Sequence, residues 1–312
     1  MFTSAQPCNL MLVSTKPIEG ATKNEAFQTK NNLYDLGKSF LKESALFEFD
    51  KIYNEADLID LIYKDLIKEN ISNLFQKKNY SIIFYGSING GKSFLARGGI
   101  ESGLIFRGVR DVFRLISLYN QVNNDKSNFF VMVSSYQIYM ENIYDLLSAE
   151  NGYGLTIEKY LENNVLNTNI IGLTKKEIKN ISEYEYFMRA ALHNRATLSQ
   201  KLKINDINRK SSFIFSIYLQ KRINNKIENY SKIDFVELPS SNFGLIEIPE
   251  NDISPKGIIC KNINNTFNSL CENIICSCDC SMPNNDCSLT LALKSSLNQL
   301  SNIIFINCIV PW

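Results

Sequence analysis

An apolar run that ends in a glycine-rich turn constrains this chain more than any other feature. Ser81-Ile82-Ile83-Phe84-Tyr85 leads without a break into Gly86-Ser87-Ile88-Asn89-Gly90-Gly91-Lys92-Ser93. The turn satisfies G-x-x-x-x-G-K-[ST] at Gly86, Gly91, Lys92 and Ser93. Each position answers a physical need. Gly86 and Gly91 allow backbone angles and close approach that a Cβ would block. Such a turn points successive backbone N–H groups at phosphate oxygens. Lys92 can set an ammonium on β- and γ-phosphates, and Ser93 can offer a hydroxyl to Mg²⁺. A helix starting near Ser93 adds the positive end of its dipole. A chance match is expected in about one chain in a hundred of this length. The strand leading into the turn makes chance rarer still, so Gly86 to Ser93 are the candidate nucleotide-binding residues.

Other apolar, β-branched runs occur at Leu10–Val13, Phe129–Ser134, Ser212–Leu219, Ile233–Leu238 and Ile303–Ile309. They read as buried strands. Helix-like spacing of apolar residues separates them at Leu58–Phe75, Gly108–Tyr119, Glu183–Leu192 and Asn262–Ile275. Strands alternating with helices predict an α/β layered domain around a largely buried sheet. In such sheets ligands sit at the carboxyl ends of the strands, where Ser81–Tyr85 delivers the glycine-rich turn.

The 312 residues are 45% hydrophobic, enough for a sizeable core, and no repeat or linker divides them. Basic and acidic side chains number 33 and 32, so no global field favours nucleic acid. No apolar run approaches the roughly 20 residues of a membrane span. The start, Met1–Leu10, lacks the pattern of a signal peptide, and a cytoplasmic protein is the expectation. Five of eight cysteines, at positions 271, 276, 278, 280 and 287, fall in one stretch. Their spacing does not suit structural zinc, and the single histidine, His193, is remote. They read as reduced thiols at a helix end and loop.

The residues around the turn resemble the kinesin motor family along nearly the whole chain. Phe47-Glu48-Phe49-Asp50-Lys51-Ile52-Tyr53 is similar to its Phe-x-Phe-Asp-x-Val-Phe block. Asn79-Tyr80-Ser81-Ile82-Ile83-Phe84-Tyr85-Gly86 resembles Asn-Gly-Thr-Ile-Phe-Ala-Tyr-Gly, and Gly103-Leu104-Ile105-Phe106-Arg107 resembles Gly-Ile-Ile-Pro-Arg. Val133 to Glu141, followed by Asp145-Leu146-Leu147, looks like Val-Ser-Phe-Leu-Glu-Ile-Tyr-Asn-Glu and Asp-Leu-Leu. Gly172-Leu173-Thr174 and Asn194-Arg195 fit later landmarks. The resemblance implies the P-loop NTPase kinesin-motor fold, a mostly eight-stranded central sheet with helices on both faces. It implies one motor-like domain over residues 8–312, an extension at 1–7, and ATP/ADP with Mg²⁺ as ligand. Ser14-Thr15-Lys16-Pro17 stands at the adenine-contact motif Arg-x-Arg-Pro, which makes Pro17 a candidate contact. The final helix and neck linker that follow in the family are not expected before Trp312.

The hydrolytic segments depart from the family. Switch I reads Asn-x-x-Ser-Ser-Arg-Ser-His there, and Asn205-Asp206-Ile207-Asn208-Arg209-Lys210-Ser211-Ser212 here. Asn208 and Arg209 replace the serines that approach Mg²⁺ and water, and Lys210 replaces an arginine. Switch II reads Asp-Leu-Ala-Gly-Ser-Glu there, and Glu237-Leu238-Pro239-Ser240-Ser241-Asn242 here. Ser240 replaces the glycine whose N–H senses the γ-phosphate, Pro239 removes a donor, and Asn242 replaces the glutamate that pairs with the switch I arginine. Asn205, Lys210 and Glu237 are the degenerate candidates for catalytic roles. Positioning and charge stabilisation are each worth several kcal/mol. Weak or absent hydrolysis is therefore the expectation.

The family's tubulin-contacting Pro-Tyr-Arg-x-Ser-Lys-Leu-Thr corresponds to Pro283-Asn284-Asn285-Asp286-Cys287-Ser288-Leu289-Thr290. Asn285 and Ser288 replace basic residues, which weakens attraction to an acidic filament. The expected function is a nucleotide-binding, microtubule-associated head acting as a targeting or regulatory partner in cytoskeletal transport. Heads of this pattern resemble noncatalytic partners of another motor subunit or of a class V myosin. An active ATP-driven motor and a nucleotide-free structural module are the alternatives. No heptads lie within these residues, so a coiled coil is expected outside them.

Overall fold

The structure is a computed structural model. It describes residues 9–14, 27–30, 33–36, 45–48, 50–53, 59–99, 102–123, 129–148, 154–162, 165–223, 226–244, 249, 251–279, 286–297 and 303–309. Strands β1 (Asn9–Ser14), β2 (Phe27–Lys30), β3 (Leu33–Leu36), β4 (Ala45–Glu48) and β5 (Lys51–Tyr53) come first. Helices α1 (Ile59–Leu66) and α2 (Lys68–Asn73) follow, then β6 (Tyr80–Gly86), α3 (Lys92–Arg97) and α4 (Leu104–Asn123). The long β7 (Phe129–Tyr139) turns back as β8 (Asn142–Asp145). After it come the hairpin β9 (Ile157–Glu162) and β10 (Val165–Ile170), and the short β11 (Lys176–Ile178). Helix α5 (Ile181–Lys201) and the single turn α6 (Ile207–Lys210) lead into β12 (Ser212–Ile223) and β13 (Lys226–Glu237). The described chain closes with α7 (Ser241–Gly244), α8 (Pro255–Asp279), α9 (Ser288–Ala292), α10 (Lys294–Leu297) and β14 (Ile303–Ile309).

The main sheet runs β11-β7-β12-β13-β6-β14-β1-β5, with β8 paired to β7 outside that path. The pairs from β13 through β6, β14 and β1 to β5 are parallel. The pairs from β11 through β7 and β12 to β13 are antiparallel. The predicted central sheet of about eight strands is therefore present.

Successive residues on a strand face opposite sides, and here both sides are covered. Ile82, Phe84, Phe213, Phe215 and Phe235 pack in one cluster with Ile62, Ile71, Val109 and Tyr184 of the helices α1, α2, α4 and α5. Ile83, Ile214 and Val236 pack in another with Leu270, Leu289 and Leu297 of α8, α9 and α10. A strand buried on both faces needs apolar residues at every position, which is why β6 reads as an unbroken run.

The helices differ from their expected bounds mainly by being longer. α4 begins four residues before Gly108, and α5 and α8 each extend well past the apolar stretch that announces them. The single helix expected over Leu58–Phe75 is instead divided at Ile67. Cys276 and Cys278 lie on the last turns of α8, and Cys280 is outside the described residues. No described helix is long and apolar enough to cross a membrane.

Candidate nucleotide-binding site

Three parallel neighbours set this site. The register pairs Glu237 of β13 with Phe84, and Cys308 of β14 with Gly86. Leu238 N–H extends the ladder to the Phe84 carbonyl at 2.9 Å. The carboxyl ends of β13, β6 and β14 thus meet around one turn. Gly86 leaves β6 at φ +138°, and a Cβ there would lie 1.9 Å from the Cys308 carbonyl oxygen. Gly91, at φ +82°, turns the chain into α3.

Lys92 folds back into its own loop. Its Nζ donates to the carbonyls of Gly86 at 2.6 Å and Ser87 at 2.8 Å. Burial lowers its pKa, against the opposing pull of Cys308 and Glu237. Burial also pushes the Cys308 thiol up to about 12. Ser93 Oγ donates to Glu237 Oε2 at 2.6 Å. Glu237 Oε1 lies 2.7 Å from Arg97 Nε, off the ideal hydrogen-bond line and therefore ionic in character. Arg97 NH2 reaches Glu237 Oε2 at 3.4 Å, so the guanidinium faces both carboxylate oxygens.

A cavity of about 370 Å³ lies over the turn. Residues Ser87 to Ser93 form one wall, Arg195, Asn208 and Arg209 a second, and Glu237, Leu238 and Ser240 a third. Arg195 is buried. It donates to Gln137 Oε1 at 2.9 Å, to the Asn208 carbonyl at 3.0 Å and to Ser211 Oγ at 3.4 Å. Burial lowers its pKa to about 10, with Glu237 pulling the other way, and it stays charged at neutral pH.

The two switch-like segments are tied together. Ser240 N–H donates to the Arg209 carbonyl at 2.9 Å. Asn242 Oδ1 accepts from Ile88 N–H of the loop at 2.7 Å and from Ser240 Oγ at 3.0 Å. Lys210 does not meet Asn242. Its Nζ donates to the Asn205 carbonyl at 2.8 Å and stands 5.8 Å from the centre of the Phe243 ring.

Of the sequence candidates, Ser87 to Ser93 and Glu237 line the cavity, with Gly86 at its base. Asn205 is exposed, and neither it nor Lys210 is part of the lining. Pro17 lies outside the described residues. Arg97 carries no sequence signal of its own in the resemblance, Arg195 enters it only as a landmark, and the bond from Ile88 to Asn242 is not announced by it. For Arg97 a spacing signal existed. It follows Ser93 by four residues on one helix, so the two side chains share a face. Its partner Glu237 is 140 residues away, and nothing local announces that pairing.

The family model for the kinesin motor domain matches residues 14–312. The chain is 26% identical to Kinesin-related protein 7 of Dictyostelium discoideum over 268 residues, 84% of this chain and 21% of that one. It is 28% identical to Kinesin-related protein 1 of the same organism over 290 residues, 85% of this chain and 13% of the relative. Kinesin-like protein klp-19 of Caenorhabditis elegans is 22% identical over 311 residues, 96% and 28% of the two chains. The chain therefore spans between 13% and 28% of the length of these relatives.

Proposed function

The chain belongs to the kinesin motor-domain family, and from that premise we propose a head that binds nucleotide at Gly86–Ser93 but hydrolyses it poorly. The domain is one motor-like unit over residues 8–312, with residues 1–7 as an extension. The observation that carries this reading is the tie between the switch-like segments. The N–H at the position of the γ-phosphate sensor, on Ser240, is already satisfied by Arg209. The ion pair that would join the two switches has no counterpart at these positions, because Lys210 and Asn242 each hold other partners. The phosphate cradle keeps its glycines, its lysine and its serine.

The residues fit Mg²⁺ poorly. A divalent ion there would draw on the Ser93 hydroxyl and the Glu237 carboxylate. That carboxylate already carries the Arg97 guanidinium. With the Ser240 N–H already bound to the Arg209 carbonyl, the position of the γ-phosphate sensor offers no open donor.

The test is a steady-state ATPase assay with and without microtubules. Turnover is expected below about 0.1 per second, some hundredfold under a typical enzyme. A microtubule-stimulated rate of about 10 per second would overturn the reading.

Microtubules are the proposed filament partner, and a second motor subunit or a myosin the proposed protein partner. On the surface corresponding to the tubulin contact, Asp286 holds Lys159 at 3.4 Å and Lys294 at 3.6 Å. Pro283 to Asn285 lie outside the described residues. With two cations occupied by an acid, attraction to an acidic filament is reduced. Co-sedimentation with microtubules should depend only weakly on salt, and with the Ser240 N–H tied to Arg209 it should differ by less than about twofold between ATP, ADP and no nucleotide. Release by ATP alone would point to a working motor cycle.

A further inference from the structure

Granted that nucleotide binds at Gly86–Ser93, on which this rests, we propose that Arg97 takes over the carboxylate a divalent cation would use, so that the head binds free nucleotide without requiring Mg²⁺. A cation at a P-loop needs oxygen atoms with open lone pairs and negative charge left to neutralise. The Glu237 side chain, 6% exposed, has its negative charge already neutralised by the Arg97 guanidinium, and its Oε2 is taken by two donors. Its Oε2 accepts the Ser93 proton at 2.6 Å, and its Oε1 lies 2.7 Å from Arg97 Nε. The guanidinium is 21% exposed, and partial burial limits screening of its field. A divalent ion seated on Ser93 and Glu237 would meet that fixed positive charge at close range.

Arg97 is held in place from two sides. It stands one helical turn after Ser93 on α3, and its guanidinium lies 5.6 Å from the centre of the Phe213 ring. Arg195 approaches the same ring at 4.9 Å. The walls of the cavity supply what metal-free phosphates need. Lys92, Arg195 and Arg209 are cationic, and Glu237 is the single acid in the described lining. With Arg97 balancing Glu237, Lys92 and Arg195 are left to face a polyphosphate anion, while Arg209 stands 3.9 Å from Asp206 as well.

The test is a titration with a fluorescent ADP analogue in millimolar Mg²⁺ and again in excess EDTA. For the unaltered chain the dissociation constant should change by less than about threefold between the two. Arg97→Gln releases Glu237, and EDTA should then weaken binding by more than about tenfold. Arg97→Lys keeps the charge and should behave like the unaltered chain. If EDTA weakens the unaltered chain by more than about tenfold, the metal-free proposal fails and nucleotide binding stands. If Arg97→Gln stays indifferent to EDTA, Arg97 does not hold the role given to it. If no condition gives binding, the nucleotide reading itself falls. Should Arg97→Gln not fold, the unaltered chain and Arg97→Lys still decide the matter.

Discussion

Lys92→Ala is expected to weaken binding of a fluorescent ADP analogue by at least about a hundredfold while leaving the fold intact. Two charge-assisted hydrogen bonds from an ammonium to phosphate oxygens contribute about 1.5–3 kcal/mol each. Losing about 3 kcal/mol already corresponds to that factor. The fold should survive because the lysine is not a stabilising group in its present setting. Burial lowers its pKa, so the unfolded chain holds this proton more readily than the folded one. Below the folded pKa the charge therefore costs stability, and that cost fades as pH rises through it toward the unfolded value. Removing the side chain relieves this cost and forfeits the bonds to the Gly86 and Ser87 carbonyls. The two effects oppose, and the net change in unfolding free energy should stay within about 1 kcal/mol. A nucleotide titration and a thermal melt check both halves. Unchanged affinity would remove phosphate from the loop.

Gly86→Ala is expected to cost about 4 kcal/mol or more of stability, in contrast. The new methyl would sit 1.9 Å from a backbone carbonyl, that of Cys308, at a φ of +138° that side chains rarely adopt. Neither partner can yield without parting β6 from β14, a parallel pair in the interior of the sheet. Gly154→Ala is the control. Its Cβ would meet nothing closer than 3.4 Å, and it should shift stability by no more than about 0.5 kcal/mol. Urea denaturation of the two variants gives the comparison, and equal effects would refute the packing argument.

The sheet was legible because burial on both faces writes itself as continuous apolar residues. Ile82, Ile83 and Phe84 show this without any structure. What escaped was whatever polar residues build. The hairpin of β12 and β13 runs on through Lys221, Arg222 and Asn229, beyond the apolar stretches that mark its two halves. The true start of α8 was signalled, since Pro255 stands at its first turn and Ser254 Oγ accepts from Gly257 N–H at 3.0 Å. The apolar spacing farther along drew the boundary inward instead. In the candidate site, the phosphate loop is one contiguous segment and could be read directly. Arg97 with Glu237 and Asn242 with Ile88 are pairings across 140 and 154 residues. Such pairs depend on sheet register, which a single sequence does not state.

The Asn242 amide has a consequence for binding. Ile88 N–H is one of the donors of the phosphate loop, and it is bound to Asn242 Oδ1 at 2.7 Å. A phosphate oxygen seeking that donor would have to displace the amide. The same amide accepts from the Ser240 hydroxyl, and Ser240 N–H holds Arg209. Moving the amide would release Ile88 N–H and the Ser240 hydroxyl while leaving the Ser240–Arg209 backbone bond in place. A phosphate seated on the loop would thus compete for the Ile88 donor with a side chain of the protein itself, a competition that opposes arrival and does nothing to retain what has arrived.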